Sequence, residues 1–170
     1  MLVTLGTRSA PVDLVDLLLE CHHRIRRFLA LAGALTAGWQ DDEIRVTAAQ
    51  IRRYFADGLP LHVADEDETI APALAGAPPA VIEAMGQMSR EHVEMAPAIE
   101  RLIDICAQLA ADPRQQAALA PTLTATVTEL TRRFESHLAL EEQMVFPAVL
   151  ALPHSVREEL RGAIQRRRVG

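Results

Sequence analysis

The stretch that decides the fold is RFESHLALEEQMVFPAVL, residues 133–150. It places His137 four residues before Glu141, and Pro147 follows six residues after that glutamate. Residues four apart lie one turn apart on the same face of an α-helix, so this histidine and this glutamate could converge on one ion. A single pair of this kind is more often a solvated ion pair on a helix surface.

An earlier copy of the pattern changes that interpretation. In LHVADEDETIAPAL, residues 61–74, His62 stands four residues before Glu66, and Pro72 again follows six residues later. Two independent surface pairs would have no reason to share the trailing proline. The repetition therefore favours two metal-ligand pairs over two surface ion pairs.

Two further histidines extend the repeat to both halves of the chain. His22 precedes His62 by 40 residues, and His92 precedes His137 by 45 residues. Each half thus reads as a histidine followed, one helix later, by His-x-x-x-Glu. We predict that all four histidines belong to one site.

The spacing of these histidines also predicts how the chain folds back. In an up-and-down bundle, two residues at equal height lie symmetrically about the intervening turn. The midpoints fall within residues 38–42 (GWQDD), within residues 76–79 (GAPP) and beside residues 112–114 (DPR). All three segments carry strong turn signals. The sequence therefore predicts an up-and-down four-helix bundle with the four histidines at one level.

Composition supports an all-α fold. The chain has 170 residues, of which 49% are hydrophobic and only 4% are aromatic, and Ala, Leu, Arg and Glu are frequent. This balance suits one compact domain, residues 1–170, with a helical core over about residues 11–152. Pro153 predicts the start of a short C-terminal helix.

Charge and leader signals narrow the function classes. A net charge of −6 argues against binding nucleic acid, and we expect Arg166, Arg167 and Arg168 to form a frayed, solvated end. No signal peptide or membrane span is expected, and Cys21 and Cys106 show no metal-binding spacing. We therefore expect a cytoplasmic monomer or weak oligomer with reduced thiols.

Prolines predict where the helices begin and bend. Ser9 and Pro11 are expected to start the first helix, and Pro60 to kink or break the second helix just before His62. Residues 111–121 are expected to form a connection with at most a short helical turn, after which Pro121 starts the fourth helix.

The donor set indicates which metals would suit the site. Four imidazole nitrogens and two carboxylates would be costly to bury without an ion, and they suit borderline divalent metals such as iron. Structural zinc usually takes four ligands, so six ligands favour two ions. The Glu-x-x-His motifs of ferritin-like di-iron proteins are not repeated here, since only Glu20 and His23 have that spacing.

With these residues in view, the chain resembles the hemerythrin-like (HHE cation-binding) family over roughly residues 11–152. The resemblance implies two iron ions, or manganese, with an oxo or hydroxo bridge. It implies that His22 and His62 bind one ion, that His92 and His137 bind the other, and that Glu66 and Glu141 bridge them.

One position departs from the oxygen-carrying members of that family. They have a further histidine one turn after the ligand of the third helix, where this chain has Ala96. The pattern is similar to an actinobacterial subgroup associated with peroxide chemistry. Tyr54 could fill the vacant place as a phenolate, although a core tyrosine is the commoner role.

These features leave several functions open. The metal centre itself would be catalytic if the protein decomposes hydrogen peroxide in the manner of a catalase. Alternatively, the protein could bind or sense oxygen or nitric oxide, or it could store or donate iron for iron–sulfur repair.

Overall fold

The computed structural model describes residues 13–35 and 38–169, and within these ranges every regular element is helical. The α-helices are α1 (Leu14–Ala34), α2 (Asp41–Arg53), α3 (Leu59–Asp65), α4 (Ala71–Ala73), α5 (Pro79–Ala111), α6 (Gln116–Leu140), α7 (Phe146–Leu150) and α8 (His154–Arg167). Three π-helical turns, Tyr54–Gly58, Glu66–Ile70 and Glu141–Val145, join α2 to α3, α3 to α4 and α6 to α7. The second and fourth helical segments therefore run from Asp41 to Ala73 and from Gln116 to Leu150.

Four long segments form a closed bundle. Helix α1 packs against α2 and α6, and α5 packs against the same two helices on the opposite side. Short connections reverse the chain between consecutive segments, and Gly38 adopts a left-handed conformation, φ 68°, in the first connection. The shorter α8 packs outside the bundle against α1. The predicted all-α helical bundle with a short C-terminal helix is confirmed.

The first helix begins at a side-chain cap. Asp13 accepts a hydrogen bond from the Leu14 N–H, and Asp16 accepts one from the Asp13 N–H. This reciprocal arrangement satisfies amide groups that the first turn leaves free. The predicted starting residues, Ser9 and Pro11, lie outside the described residues.

Of the two outcomes predicted at Pro60, a kink or a break, the break is wrong. The helical segment continues through it because the preceding turn is π-helical, with the Leu59 N–H bonded to the Tyr54 carbonyl five residues back. The widened turn relieves the clash between a proline ring and the turn before it.

The same device recurs at the two ligand motifs. Glu66 and Glu141 each begin a π-helical turn, and Pro72 and Pro147 are each the second residue after the end of that turn. The repeat seen in the sequence is therefore also a repeat in backbone geometry.

The fourth segment begins earlier than predicted. Asp112 ends the third segment and accepts a hydrogen bond from the Arg114 N–H, a short 3-10 turn covers Pro113–Gln115, and α6 starts at Gln116. Pro121 thus lies inside α6 and does not begin it. The loss of one amide donor near the helix start is tolerated because the flanking turns remain bonded and packed.

The apolar core is divided into two layers. Along α1, Leu14 and Leu18 belong to one buried cluster and Ile25 and Leu29 to the other, with His22 between them. The other three segments change from one cluster to the other in the same way around their own site residues. The structure thus places a polar layer across the middle of the bundle. Among the described residues, no helix is both long and apolar enough to cross a membrane.

Candidate metal centre

The first group of donor atoms comes from three of the four bundle segments. One donor atom each from His22, His62, Glu66 and Glu141 lies within 4.8 Å of the others, and all four side chains are buried. His62 Nε2 is 2.8 Å from Glu66 Oε1, and His22 Nε2 is 2.7 Å from Glu141 Oε2. Two imidazoles and two carboxylates therefore converge on one point.

The second group brings in the third segment and shares one residue with the first group. Donor atoms of Glu66, His92 and His137 also lie within 4.8 Å of one another. His92 Nε2 is 2.9 Å from Glu66 Oε2 and 3.2 Å from His137 Nε2. One oxygen of Glu66 thus faces His62 while the other faces the second histidine pair.

Glu141 is placed differently from Glu66. Its Oε2 faces His22, and in the described part of the chain it belongs to the first group alone. All six predicted residues are therefore brought together, but Glu66 is the residue that joins the two groups.

Several donor atoms of the two groups are buried without a regular hydrogen bond, and a cation would satisfy them. Among the described residues, both ring nitrogens of His62, both oxygens of Glu66 and Glu141 Oε1 are buried without a hydrogen bond of regular geometry, although Glu66 faces His62 and His92 at 2.8 and 2.9 Å. A buried polar atom left in this way costs about 1–3 kcal/mol. Metal ions at the two groups would satisfy these atoms, so the residues present fit the two ions that the sequence predicts.

The electrostatics of the metal-free chain point the same way. Burial would raise the pKa of Glu66, but His62, together with His137 and His92, outweighs it and holds that pKa well below the ordinary value. Burial would lower the pKa values of His62 and His137, yet Glu66 raises both. Burial, together with the Glu66 charge, raises the pKa of Glu141. The positive charges of His62 and His137 and the negative charge of Glu66 therefore stabilise one another, and a bound cation would supply the same positive charge.

Three of the four histidines are oriented by a carboxylate on the far side of the ring. The distances from Nδ1 to the carboxylate oxygen are 2.8 Å for His22 and Glu142, 2.8 Å for His137 and Glu91, and 3.4 Å for His92 and Asp67. Such a partner fixes the ring and directs Nε2 at the ion, and it makes the imidazole a stronger ligand.

Sequence reasoning missed these three acids. Each is adjacent to a ligand candidate in the chain: Asp67 follows Glu66, Glu142 follows Glu141, and Glu91 precedes His92. The acid that follows the glutamate in both copies of the repeat is a signal that could have found two of them, Asp67 and Glu142. Helical geometry turns that neighbour toward a histidine on another segment.

His62 has a different partner. The thiol of Cys21 lies beside His62 and contributes to the raised pKa of the histidine, although His62 Nδ1 makes no hydrogen bond of regular geometry within the described residues. Burial would raise the pKa of Cys21, but His62 and the nearby Arg168 together lower it. The first donor group therefore combines one histidine backed by a carboxylate with one backed by a thiol.

Tyr54 packs as an aromatic core residue. Its ring stacks on Phe28 with centroids 4.3 Å apart, and a Cβ added at Gly58 would lie 3.1 Å from it. Burial raises the pKa of the phenol, which favours the neutral form over a phenolate ligand. These contacts support a core-packing role for Tyr54 over a ligand role.

A surface groove reaches the second donor group. It has a volume of about 480 Å³ and lies between the second segment and α5. His92, the least buried of the four histidines, and Ala96 both line it, together with mainly apolar side chains. A small molecule could therefore approach the second group through this groove.

The two remaining histidines, His23 and His154, are exposed.

Comparison with known proteins supports the geometric interpretation. Among curated proteins, no sequence matches the chain. Among protein families, residues 13–149 match the hemerythrin HHE cation-binding domain, a range that includes all six donor residues. The chain belongs to the hemerythrin HHE cation-binding domain family.

Proposed function

We propose that this protein is a non-haem di-iron protein that decomposes hydrogen peroxide. In this proposal His22, His62 and Glu141 hold one ion, His92 and His137 hold the other, and Glu66 bridges the two. Glu141 adds a second bridge if its free oxygen turns toward the second ion. Manganese is the alternative metal.

The observation that carries the proposal is the shared carboxylate. Glu66 directs Oε1 toward His62, at 2.8 Å, and Oε2 toward His92, at 2.9 Å. A carboxylate shared in this way holds two ions side by side, close enough for one small molecule to contact both.

A pair of iron ions would supply the redox chemistry, by accepting two electrons from one peroxide molecule and returning them to another. The overall reaction converts two molecules of hydrogen peroxide into two of water and one of oxygen, so no outside reductant is needed. The chain orients the ligands through Glu142, Glu91 and Asp67. It also excludes bulk water, because apolar layers cover the site on both sides.

The groove beside His92 favours peroxide turnover over oxygen carriage. Ala96, one turn after His92, lines that groove with a methyl group where the resemblance places a fifth histidine in oxygen carriers. Without a histidine at position 96, the second ion would have Glu66, His92 and His137 as its protein ligands among the described residues, which would leave room for a peroxide molecule entering from the groove.

The test is oxygen release from hydrogen peroxide by the iron-loaded protein, measured with an oxygen electrode and compared with free iron at the same concentration. We expect turnover by the wild-type protein and its loss in Glu66→Ala. Ala96→His should keep two irons per chain but release oxygen more slowly, and Ala96→Ser is its matched control.

Three outcomes would contradict the proposal. A single zinc per chain in protein produced with ample iron would exclude the di-iron centre. Absence of turnover, together with a stable and reversible oxygen adduct of the di-ferrous form, would favour a gas-binding module. Iron that is readily released to a chelator would favour storage or donation.

A further inference from the structure

The C-terminal arginines do not form the solvated end that the sequence predicts. Arg166 is exposed, but Arg167 and Arg168 fold back onto the second helical segment. Arg167 Nη1 donates to Asp65 Oδ1 at 2.6 Å, and Arg168 Nη2 donates to Asp65 Oδ2. The Asp65 side chain has no exposed surface, so two guanidinium groups from α8 neutralise one buried carboxylate.

Asp65 lies within the ligand motif itself. It directly precedes Glu66 and follows His62 by three residues, so it shares a helical turn with both. Arg167 also donates to Thr69 Oγ1 at 3.2 Å and to Glu68 Oε2 at 3.0 Å. Both residues belong to the π-helical turn that begins at Glu66. Arg167 therefore holds this turn from the outside.

Arg168 makes a second contact with the metal centre. Its Nη2 lies 3.5 Å from Cys21 Sγ, the thiol that lies beside His62. The other three histidines have a carboxylate of the bundle behind the ring. His62 has this thiol, with an arginine of the C-terminal helix behind it.

The second copy of the repeat provides an internal comparison. The position that corresponds to Asp65 is Leu140, an uncharged residue. The π-helical turn of the second copy, Glu141–Val145, is held by Arg26 of α1, whose Nη1 donates to Glu142 Oε1 at 3.1 Å. A helix of the bundle thus holds the turn that begins at Glu141, whereas α8, outside the bundle, holds the turn that begins at Glu66.

We propose that Arg167 and Arg168 are positioning residues for the first donor group, and that α8 acts as a clamp on His62 and Glu66. Without the arginines, Asp65 would be a buried charge without compensation. It could then be solvated only if the helix around it moved. The two ligands would move with it, because they lie on the same turn. The inference rests on the proposed metal centre.

The experiment uses cobalt(II) as the probe, since its visible spectrum reports ligand geometry. The full-length variant Arg167→Gln/Arg168→Gln is titrated beside the wild type. We expect the affinity for one of two cobalt ions to fall by about tenfold or more, the range typical of residues that orient ligands. The spectrum of that ion should change, while the other ion is bound as in the wild type.

Arg157→Gln is the matched control. Arg157 anchors the other end of α8, by donating to the carbonyls of Leu150 and Leu152 at 2.6 and 3.2 Å and pairing with Asp13 at 3.5 Å. The Arg157→Gln substitution loosens the same helix but leaves the ion pairs of Asp65 intact. We expect its cobalt affinity and spectrum to match the wild type.

A third variant separates the clamp from simple charge compensation. The triple variant Asp65→Asn/Arg167→Gln/Arg168→Gln has no uncompensated charge at position 65. It should therefore fold even if the double variant does not. We expect it still to bind the first ion more weakly than the wild type, because it also lacks the contacts of Arg167 with Thr69 and Glu68 and of Arg168 with Cys21, which do not depend on the charge of Asp65. Wild-type cobalt binding in this triple variant, or in a folded double variant, would overturn the proposal.

Two further outcomes are distinguishable from these. Equal losses in Arg157→Gln and in the double variant would show that α8 only stabilises the bundle, and this would also overturn the clamp. A wild-type protein that binds neither cobalt nor iron would overturn the metal centre itself, and with it the inference that rests on it.

Discussion

The shared position of Glu66 predicts an asymmetry between two glutamates that look equivalent in the sequence. Glu66→Ala removes an oxygen from both donor groups, which leaves three protein ligands in the first group and two in the second. Glu141→Ala removes an oxygen from the first group and leaves three ligands in each. We therefore expect Glu66→Ala to impair both metal ions and Glu141→Ala to impair one.

The expected magnitude follows from counting lost ligands. Loss of a residue that merely supports a ligand lowers metal affinity by about 10–100-fold, so loss of a ligand should cost at least about 100-fold at each ion it contacts. For the overall constant of binding both ions, this gives about 10⁴-fold for Glu66→Ala and about 100-fold for Glu141→Ala, a difference of roughly 2.7 kcal/mol.

The assay is an anaerobic titration of metal-free protein with ferrous iron, followed by metal analysis after dialysis. Circular dichroism provides the control for folding. Both carboxylates are buried, and each has an oxygen without a hydrogen-bond partner among the described residues, so their removal should leave the metal-free protein folded. Equal losses of iron in the two folded variants, or one iron retained at wild-type affinity in Glu66→Ala, would refute the assignment of Glu66 as the shared residue.

Four further predictions follow from the same geometry. Chelation of the metal should lower the melting temperature, by roughly 15–30 °C if two ions are each held at about 1,000 times Kd, and an unchanged melting curve would contradict the ligand assignment. Glu142→Gln should weaken iron binding by about 10–100-fold in a titration, because Glu142 orients His22. Phe146→Ala should cost about 3–5 kcal/mol in a denaturant titration of the metal-free protein, because the buried ring stacks on His22 with centroids 5.2 Å apart. Burial raises the pKa of Cys106 to about 12, so its thiol should stay protonated and resist alkylation at pH 8 until the protein unfolds.

The helical class, the turns and the six candidate donor residues can be read from the sequence alone. A histidine and a glutamate four residues apart must share a helix face, and repetition of that pair made a binding role more probable than a surface one. The equal spacing about three turn signals placed the four histidines at one level. These inferences depend on local periodicity and on the symmetry of antiparallel helices, and both can be read along the chain.

Local rules failed where several elements act together. Pro60 was expected to kink or break a helix and Pro121 to begin one, since a proline removes an amide donor and clashes with the preceding turn. A π-helical turn before Pro60 makes room for its ring, and packing against α5 and α1 keeps α6 helical through Pro121. The free energy of the bundle outweighs the local preference in both places.

Three features follow from tertiary contacts alone: the carboxylate that lies between the two donor groups, the acids that orient the histidines, and the positions of the last arginines. Glu66 and Glu141 occupy equivalent positions in the repeat, and their roles diverge because the segments that face them differ. Asp65 and Arg168 are 103 residues apart, and no periodicity connects them. Their contact exists because a buried carboxylate needs compensation and α8 is the element that packs beside it.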